Sequence, residues 1–298
     1  MAESLQWIDP SGIITPMDSD TFIAANRTGV LALVGRSGFF GVPSALIVDP
    51  IPQQPGAREK YVQVGMNECF VPVAVLAPSE SELAQLRRTL KKALNPSRGL
   101  GVLRSTAADG TTRDLNCRCV SGLEGAEDES NRGPGWFTAG LVFQAADPFW
   151  YDSSFTTMTF QMTGTPPLFL ATPFIPIKLG TSGIGSDFTI DNEGDFQAWP
   201  IWQITGPGSA IVMTNQTTGD VLTLTITLAD ATQILTIDTR PGKKTVKRED
   251  DSNQFSTVDS LSTLWPLQLG NNQISVAMTG TTSDSQIQIQ YKQAYDGV

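Results

Sequence analysis

The chain has 298 residues, a formal net charge of −10 and a sequence pI near 4.5. Its length predicts two domains at about 150 residues each, and its acidity argues against a general nucleic-acid binder, whose surface is basic. The sequence contains no histidine. This excludes Ser-His-Asp and Cys-His nucleophilic sites and every His-ligated metal centre within the chain. Catalysis by carboxylates or lysine stays possible, but the commonest general base is missing, so an enzyme is not expected. A bound cofactor or metal is not expected either.

The first half is predicted to consist mainly of short strands. Its opening stretch, MAESLQWIDPSG, lacks the basic and apolar segments of a secretory signal. The sequence contains no run of about 18 apolar residues, so a membrane-spanning helix is not expected. Strand-forming runs cut by glycine and proline occupy residues 29–35 and 44–52, and residues 59–77 alternate in two halves around Gly65. That alternation indicates a bent strand or a hairpin.

One helix is predicted, over the stretch PSESELAQLRRTLKKALNPS (78–97). Ser79 and Glu82 have the spacing of a capping box, and Asn95-Pro96 ends the helical pattern. The apolar stripe is formed by Leu83, Leu86, Leu90 and Leu94.

The opposite face of this helix is basic. It carries two like-charge pairs at i,i+4, each of which costs about 0.2–0.5 kcal/mol in an isolated helix. Either the face is solvated, or something acidic lies opposite to it. One acidic candidate is the predicted hairpin tip LEGAEDESNRG (123–133). The candidate inter-subunit residues are Arg87, Arg88, Lys91 and Lys92 on the helix and Glu124, Glu127, Asp128 and Glu129 on the tip.

The three cysteines do not form a disulfide framework for a chain of this length. In LNCRCV, the side chains of Leu115, Cys117 and Cys119 share one face of a predicted strand. Two buried thiols beside a leucine are the favoured interpretation, and a metal site would need a fourth ligand and better spacing. This cysteine usage suits folding in a reducing cytoplasm.

A strand followed by an aromatic cluster lies near the middle of the chain. The strand GWFTAGLVFQA (135–145) places Phe137, Ala139, Leu141 and Phe143 on one face. Pro148 removes a backbone donor and should end it. The stretch Asp147, Pro148, Phe149, Trp150 and Tyr151 can pin a linker, form a binding platform or fill a core. Pinning or core filling is favoured.

The second half has no helical period. After a proline-rich bridge (164–180), short alternating segments are separated by Thr-Gly, Pro-Gly and Gly-Asn turns, and NQTTGDVLTL predicts a hairpin with Gly219 at its turn. This pattern is typical of an antiparallel β-sandwich. The fold class is therefore mainly β, with one helix in the first domain. The predicted domains are residues 1–150 and 151–298.

The second half offers one weak candidate site, for a saccharide. Its residues are Trp199, Trp202 and Trp265, since β-sandwiches often present aromatic rings to sugars. Trp199 and Trp202 are an odd number of residues apart, so a regular strand points them to opposite faces. At least one of the two is therefore expected in the core.

Taken in order, the motifs of residues 60–298 resemble the distal tail protein of long, non-contractile-tailed bacteriophages. The capped helix is followed by a paired-strand segment (99–125) and by GLVFQAADPFWYD (140–152), which looks like the junction between the two domains of that family. The C-terminal motifs then follow in the family's order: GDFQAWPIWQITGPG, VMTNQTTGDVLTLTITL, LTIDTRPGKKTV, WPLQLGNNQISV and QIQYKQAYDGV. Residues 248–263 depart from the short glycine-containing turn that family members usually have there.

The resemblance implies a fold for each half of the chain. The first half would be a belt domain, a small β-barrel-like sheet with a helix, that closes into a six-fold ring. The second half would be a β-sandwich that resembles galectins and carbohydrate-binding modules. Residues Asp147–Tyr151 would plug the junction between the two domains.

The resemblance also implies a place in the virion. The ring would be a structural hub at the tail tip, assembled in the host cytoplasm. It would join the tail tube protein and the tape-measure protein to the tail-tip hub and receptor-binding proteins. DNA would pass through the lumen without being recognised by sequence, and an acidic wall would not grip its phosphates.

Two other function classes stay open from the sequence. One is a saccharide-binding module that attaches a virion or an enzyme to a host cell-wall glycan. The other is a carboxylate glycosidase, which needs two acidic side chains about 5–10 Å apart. The sequence locates no such pair.

Overall fold

The computed structural model describes residues 4–25, 27–53, 55–124, 131–161 and 183–298. The chain divides into two compact units, the first made of Met1–Ser153 and Tyr295–Val298 and the second of Ser154–Ala294. The last four residues thus belong to the first unit, whereas the sequence placed them in the second domain. Among the described residues, no helix is both long and apolar enough to span a membrane.

The first unit is built mainly from antiparallel strands. The path β2-β1-β7-β8-β10-β6-β3 forms a nearly closed, barrel-like sheet, and this confirms the predicted fold class. Strands β1 to β11 are, in chain order, Ser4–Ile8, Ile14–Pro16, Gly29–Ala32, Ser44–Pro50, Ala57–Val64, Asn67–Leu76, Gly101–Thr106, Thr112–Ser121, Arg132–Gly133, Trp136–Ala145 and Trp150–Asp152.

Alternating side chains of this sheet form the core of the first unit. Along β6 every second residue is buried, and β8 and β10 bury the faces that the sequence predicted. The rings of Trp7 and Phe143 pack with their centroids 5.1 Å apart. The buried apolar core positions from these three strands are Cys69, Val71, Val73, Val75, Leu115, Cys117, Cys119, Phe137, Leu141, Phe143 and Ala145.

Two helices accompany the sheet, α1 at Ser19–Ala24 and α2 at Glu80–Ala93. Helix α2 begins as predicted, because the Ser79 hydroxyl accepts a hydrogen bond from the Glu82 amide at 3.3 Å. Its stripe buries Leu83, Leu90 and Leu94 and half-buries Leu86. The indole of Trp7 donates to the Ala93 carbonyl at 2.9 Å, which ties the end of α2 to β1. Helix α1 was not predicted, since six residues are too few to show a period.

The prediction for residues 59–77 was wrong. Strands β5 and β6 do not pair with each other and do not form one bent strand. Strand β5 pairs with β4 in a separate two-stranded sheet, whereas β6 pairs with β10 and β3. Strand β6 buries alternate side chains, whereas β5 buries none. The two halves of the alternating stretch therefore lie in different environments.

The second unit is a β-sandwich, as predicted. One sheet has the order β12-β20-β14-β17-β18 and the other β13-β19-β15-β16, and both contribute to one apolar core. Strands β12 to β20 are Thr156–Gln161, Gly183–Asn192, Ile201–Thr205, Ser209–Asn215, Asp220–Leu224, Ile234–Asp238, Thr245–Arg248, Gly270–Thr279 and Gln286–Tyr291. A two-residue strand, β21 at Ala294–Tyr295, follows.

The hairpin predicted around Gly219 is formed by β15 and β16, and Gly219 has a φ of +81°. Residues 248–263 contain a 3-10 helix at Phe255–Thr257 and two isolated strand-like pairings, Lys247 with Asn253 and Leu224 with Val258. The proline-rich bridge (164–180) lies outside the described residues.

Candidate assembly surfaces

Strands β4 and β5 form an antiparallel hairpin that we call the arm. Leu46 pairs with Val62 and Ile47 with Tyr61, and the register shifts between Ile47 and Val48. Within the residues that the structure describes, neither strand pairs with any other. Each therefore leaves one row of backbone donors and acceptors without a sheet partner.

The arm exposes apolar side chains on both of its faces. Leu46 and Val62 are 55% and 56% exposed on one face, and Tyr61 is 56% exposed on the other. A two-stranded hairpin with no covering layer is marginally stable in water at best. A contact with another protein is one of the roles that exposed apolar surface serves. The arm is therefore the strongest candidate for a surface that another chain covers.

The basic face of α2 borders an open groove of about 710 Å³. Arg88, Lys91 and Lys92 are exposed, while Arg87 is half-buried with its guanidinium 5.2 Å from the centroid of the Phe137 ring. The floor of the groove is apolar and includes Leu33, Phe70, Pro72, Phe137 and Ala139. The groove thus combines a basic rim with an apolar floor.

The acidic stretch begins and ends beside this same groove. Gly122 and Leu123 on one side of it, and Asn131 and Arg132 on the other, line the groove together with Arg87, Arg88 and Lys91. Glu124 accepts a hydrogen bond from the Gly122 amide at 2.9 Å, which lowers the pKa of its carboxyl. Glu127, Asp128 and Glu129 lie outside the described residues. The helix face therefore lies close to the described residues that flank the acidic stretch.

The residues predicted as a junction plug are anchored in the first unit. Trp150 is completely buried in its core, 5.6 Å from the ring of Phe39. The Tyr151 hydroxyl donates to the Asp147 carboxylate at 2.9 Å, and the Pro148 carbonyl accepts from the Asn67 side chain at 3.2 Å. Phe149 is half-buried. Core filling thus accounts for Trp150, and its ring is not available as a binding platform.

The saccharide prediction was wrong for two of its three tryptophans. Trp202 and Trp265 are buried in the sandwich core, where their rings meet edge to face at 5.5 Å. Trp199 is half-buried, and the Lys244 ammonium lies 5.7 Å from its ring centroid. Only the expectation that one of the pair Trp199 and Trp202 is core agrees with the structure. No ring pair is left to form a sugar platform from these three residues.

The cysteines are buried and have no disulfide partner. Burial raises the pKa of Cys69 and of Cys119 to about 12, so neither thiol ionises near neutral pH. Within the described ranges, no group of three or more His, Cys, Asp or Glu side chains is placed to hold a metal ion.

Sequence reasoning missed the arm. The stretch was predicted as strands, but its apolar residues gave no sign that they stay uncovered. The one available signal is the run Arg58-Glu59-Lys60 between Ala57 and Tyr61, which puts charges on both faces of β5. A strand with charges on both faces is poorly suited to a buried sheet.

Comparison with known proteins gives one family and one fold. Residues 193–295 match the family described as "Siphovirus-type tail component, C-terminal domain". No curated protein matches the sequence.

Three solved structures share the fold over the whole chain. The Dit protein (gp 19.1) of SPP1, described as a paradigm of the hub adsorption apparatus in phages that infect Gram-positive bacteria, superposes with a TM-score of 0.65 at 11% identity, covering 99% of each chain. Chains of the phage P2 baseplate in its activated conformation with Ca and with Sr give TM-scores of 0.59 and 0.57 at 13% and 12% identity, covering 100% of each chain.

The family match over the second unit and the fold of the whole chain confirm the resemblance drawn from the sequence motifs. Residues 193–295 thus match a family of siphovirus-type tail components, and the whole chain shares the fold of the SPP1 Dit protein and of the P2 baseplate chains.

Proposed function

We propose that this chain, a siphovirus-type tail component with the fold of distal tail proteins, closes into a hexameric ring at the tail tip. The ring joins the tail tube and tape-measure proteins to the tail-tip hub and receptor-binding proteins, and DNA passes through its lumen. The net charge of −10 suits such a conduit, because acidic walls do not bind phosphates.

The observation that best supports ring formation is the exposed apolar surface of the arm. Its apolar side chains are exposed on both faces, and no layer from the described part of its own unit covers them. A closed ring uses heterologous contacts, in which two different patches of the same chain meet head to tail. An arm that reaches a neighbouring copy would bury its apolar surface in such a contact.

The charges of the first unit contribute to the register of the ring in this proposal. Arg88 and Lys91 of one copy face the acidic stretch that starts at Glu124 in the next copy. Each exposed pair contributes about 0.2–1 kcal/mol and is screened by salt, so the charges orient the subunits more than they hold them together. The described residues that flank the acidic stretch line the same groove as Arg88 and Lys91, and this offers the alternative that the two charged patches neutralise each other within one chain before assembly.

Residues Asp147–Tyr151 plug the junction between the two units in this proposal. Trp150 anchors the segment in the first core.

Light scattering after size-exclusion chromatography tests the ring. Wild type is expected to elute with six times the mass of the 32.0 kDa chain. Leu46→Glu places a charge in the apolar surface of the arm and should leave a folded monomer. Leu261→Glu is the matched control, because Leu261 is 91% exposed in the second unit and should leave the ring intact. A wild-type chain that stays monomeric at high concentration, and is absent from tail tips by labelling, refutes the proposal.

Charge reversal tests the register. Arg88→Glu combined with Lys91→Glu should weaken ring formation at low salt, and adding Glu127→Lys and Asp128→Lys should partly restore it. If the double reversal assembles like wild type at low ionic strength, the helix face is merely solvated.

A further inference from the structure

We propose that residues 295–298 position the arm for assembly by holding its base. This inference rests on the ring proposed above. The mobility of the arm, however, can be measured in a single chain without the ring. Asp296 and Gly297 are the positioning residues. Asp296 and Gly297 are not expected to contact the neighbouring copy themselves.

The segment 295–298 is bound on one side to residues 39–42. The Val298 amide donates to the Phe39 carbonyl at 2.9 Å, and the Val42 amide donates to the Asp296 carboxylate at 2.6 Å. Gly297 lies so close that a Cβ atom there would be 2.6 Å from the Phe39 carbonyl oxygen. A hydrogen bond from a backbone amide to a carboxylate is stronger than one between neutral groups.

On its other side the segment is held by Arg113 of β8. The guanidinium of Arg113 lies 3.7 Å from the centroid of the Tyr295 ring and donates to the Gly297 carbonyl. Tyr295 and Val298 also pack against the core of the first unit. The segment therefore binds β8 and the core on one side and residues 39–42 on the other.

Residues 39–42 lead directly into the arm. Val42 lies two residues before the first residue of β4, and the neighbouring Pro43 carbonyl accepts from the Gly65 amide at 2.8 Å. Gly65 directly follows the last residue of β5. Both ends of the arm therefore meet at Val42–Pro43, next to the amide that Asp296 binds.

The base governs where the tip of the arm lies. Strands of seven or eight residues rise about 3.3 Å per residue, so the arm is roughly 25 Å long, and a rotation of about 10° at its base moves the tip by about 4 Å. Because the arm strands have no further sheet partner among the described residues, contacts at the base set its direction. A displacement of that size is enough to lose a packed interface contact.

Hydrogen exchange of the full-length chain, measured in the monomeric Leu46→Glu background, tests the positioning. Asp296→Ala removes the acceptor of the Val42 amide, and exchange at Val42, Gly65 and the paired arm amides should accelerate about tenfold to a hundredfold. Asp296→Asn keeps one oxygen acceptor and should give a smaller acceleration. Asp284→Ala, at an exposed aspartate of the second unit, is the control and should leave arm exchange unchanged.

Ring formation by the same variants with Leu46 in place is the second readout. Asp296→Ala should assemble more weakly than wild type while amides in β8 and β10 keep their wild-type protection. Wild-type exchange over residues 42–65 in a folded Asp296→Ala chain overturns the positioning, as does normal ring formation despite accelerated exchange. A wild-type chain that forms no ring counts against the proposed function, whereas the exchange comparison still decides whether residues 295–298 hold the arm.

Discussion

The arm and the β15–β16 hairpin are two similar local structures with opposite surroundings. Each is an antiparallel pair, and each has a glycine with positive φ at its turn, Gly56 at +103° and Gly219 at +81°. In β15 the buried residues alternate with partly exposed ones, and one face packs against the other sheet of the sandwich. In the arm, β5 is exposed along its whole length except at the final half-buried valine.

The difference shows that the pairing of two strands and the burial of their side chains have separate causes. Cross-strand hydrogen bonds form in both hairpins, so local sequence suffices for the ladder. Stability comes from the layer that covers an apolar face. The sandwich supplies that layer within the chain, whereas for the arm a second copy is the proposed source. Matched substitutions at buried positions and at exposed positions of the arm should therefore differ in their effect on stability.

The largest expected effect is in the core of the first unit, which carries the arm. Trp150→Ala removes a completely buried ring and should lower the free energy of unfolding of that unit by about 3–5 kcal/mol. Tyr61→Ala in the arm should change it by less than about 0.5 kcal/mol. Chemical denaturation measures both, and limited proteolysis should cut the Trp150→Ala chain much faster near residue 150. Equal sensitivity of the two positions would show that the arm is packed within its own unit.

The same leucine truncation can be made in each hairpin. Leu222 is completely buried opposite Met213, and Leu222→Ala should lower the free energy of unfolding of the second unit by about 2–5 kcal/mol. Leu46 is exposed opposite Val62, and Leu46→Ala should cost less than about 0.5 kcal/mol in the monomer. Thermal unfolding of the monomer measures the loss of stability caused by each of the two substitutions. In the assembled ring the cost at Leu46 should rise, and an unchanged cost there contradicts burial of the arm by a neighbour.

At the turns, the expected effect is smaller than that of either core truncation. Gly219→Ala and Gly56→Ala each place a Cβ at positive φ, which costs about 1–2 kcal/mol locally. In the sandwich this cost should lower global stability, because the hairpin unfolds with the core. In the arm it should accelerate only local hydrogen exchange. A drop in the melting temperature of the first unit with Gly56→Ala would mean that the arm unfolds together with its core.

Patterns that depend on neighbours in sequence predicted much of the fold. Helix α2 followed from its Ser79 cap and leucine stripe, and the buried faces of β8 and β10 followed from alternation. Gly219 indicated its turn through the backbone freedom that the turn requires. Each of these signals is local because the physical cause, a cap, a period or a positive φ, lies within a few residues.

The candidate surfaces were only partly accessible to such reasoning. The basic face of α2 was found from spacing, but its closeness to the ends of the acidic stretch depends on how α2 lies against the sheet. Trp202 and Trp265 carry no local mark of burial, and only the packing of two sheets places their rings against each other. The division of residues 59–77 between two sheets likewise depends on strands far away in sequence.

The sequence by itself determined the fold class, the capped helix, the sandwich strands and, through its ordered motifs, the resemblance to a tail protein. The absence of histidine also excluded catalytic and metal sites that need a histidine. Only the tertiary structure decided which apolar residues stay uncovered and that residues 295–298 bind beside the base of the arm. The reason is physical: an alternating strand carries the same pattern whether or not a layer covers it, and that layer comes from distant parts of the chain.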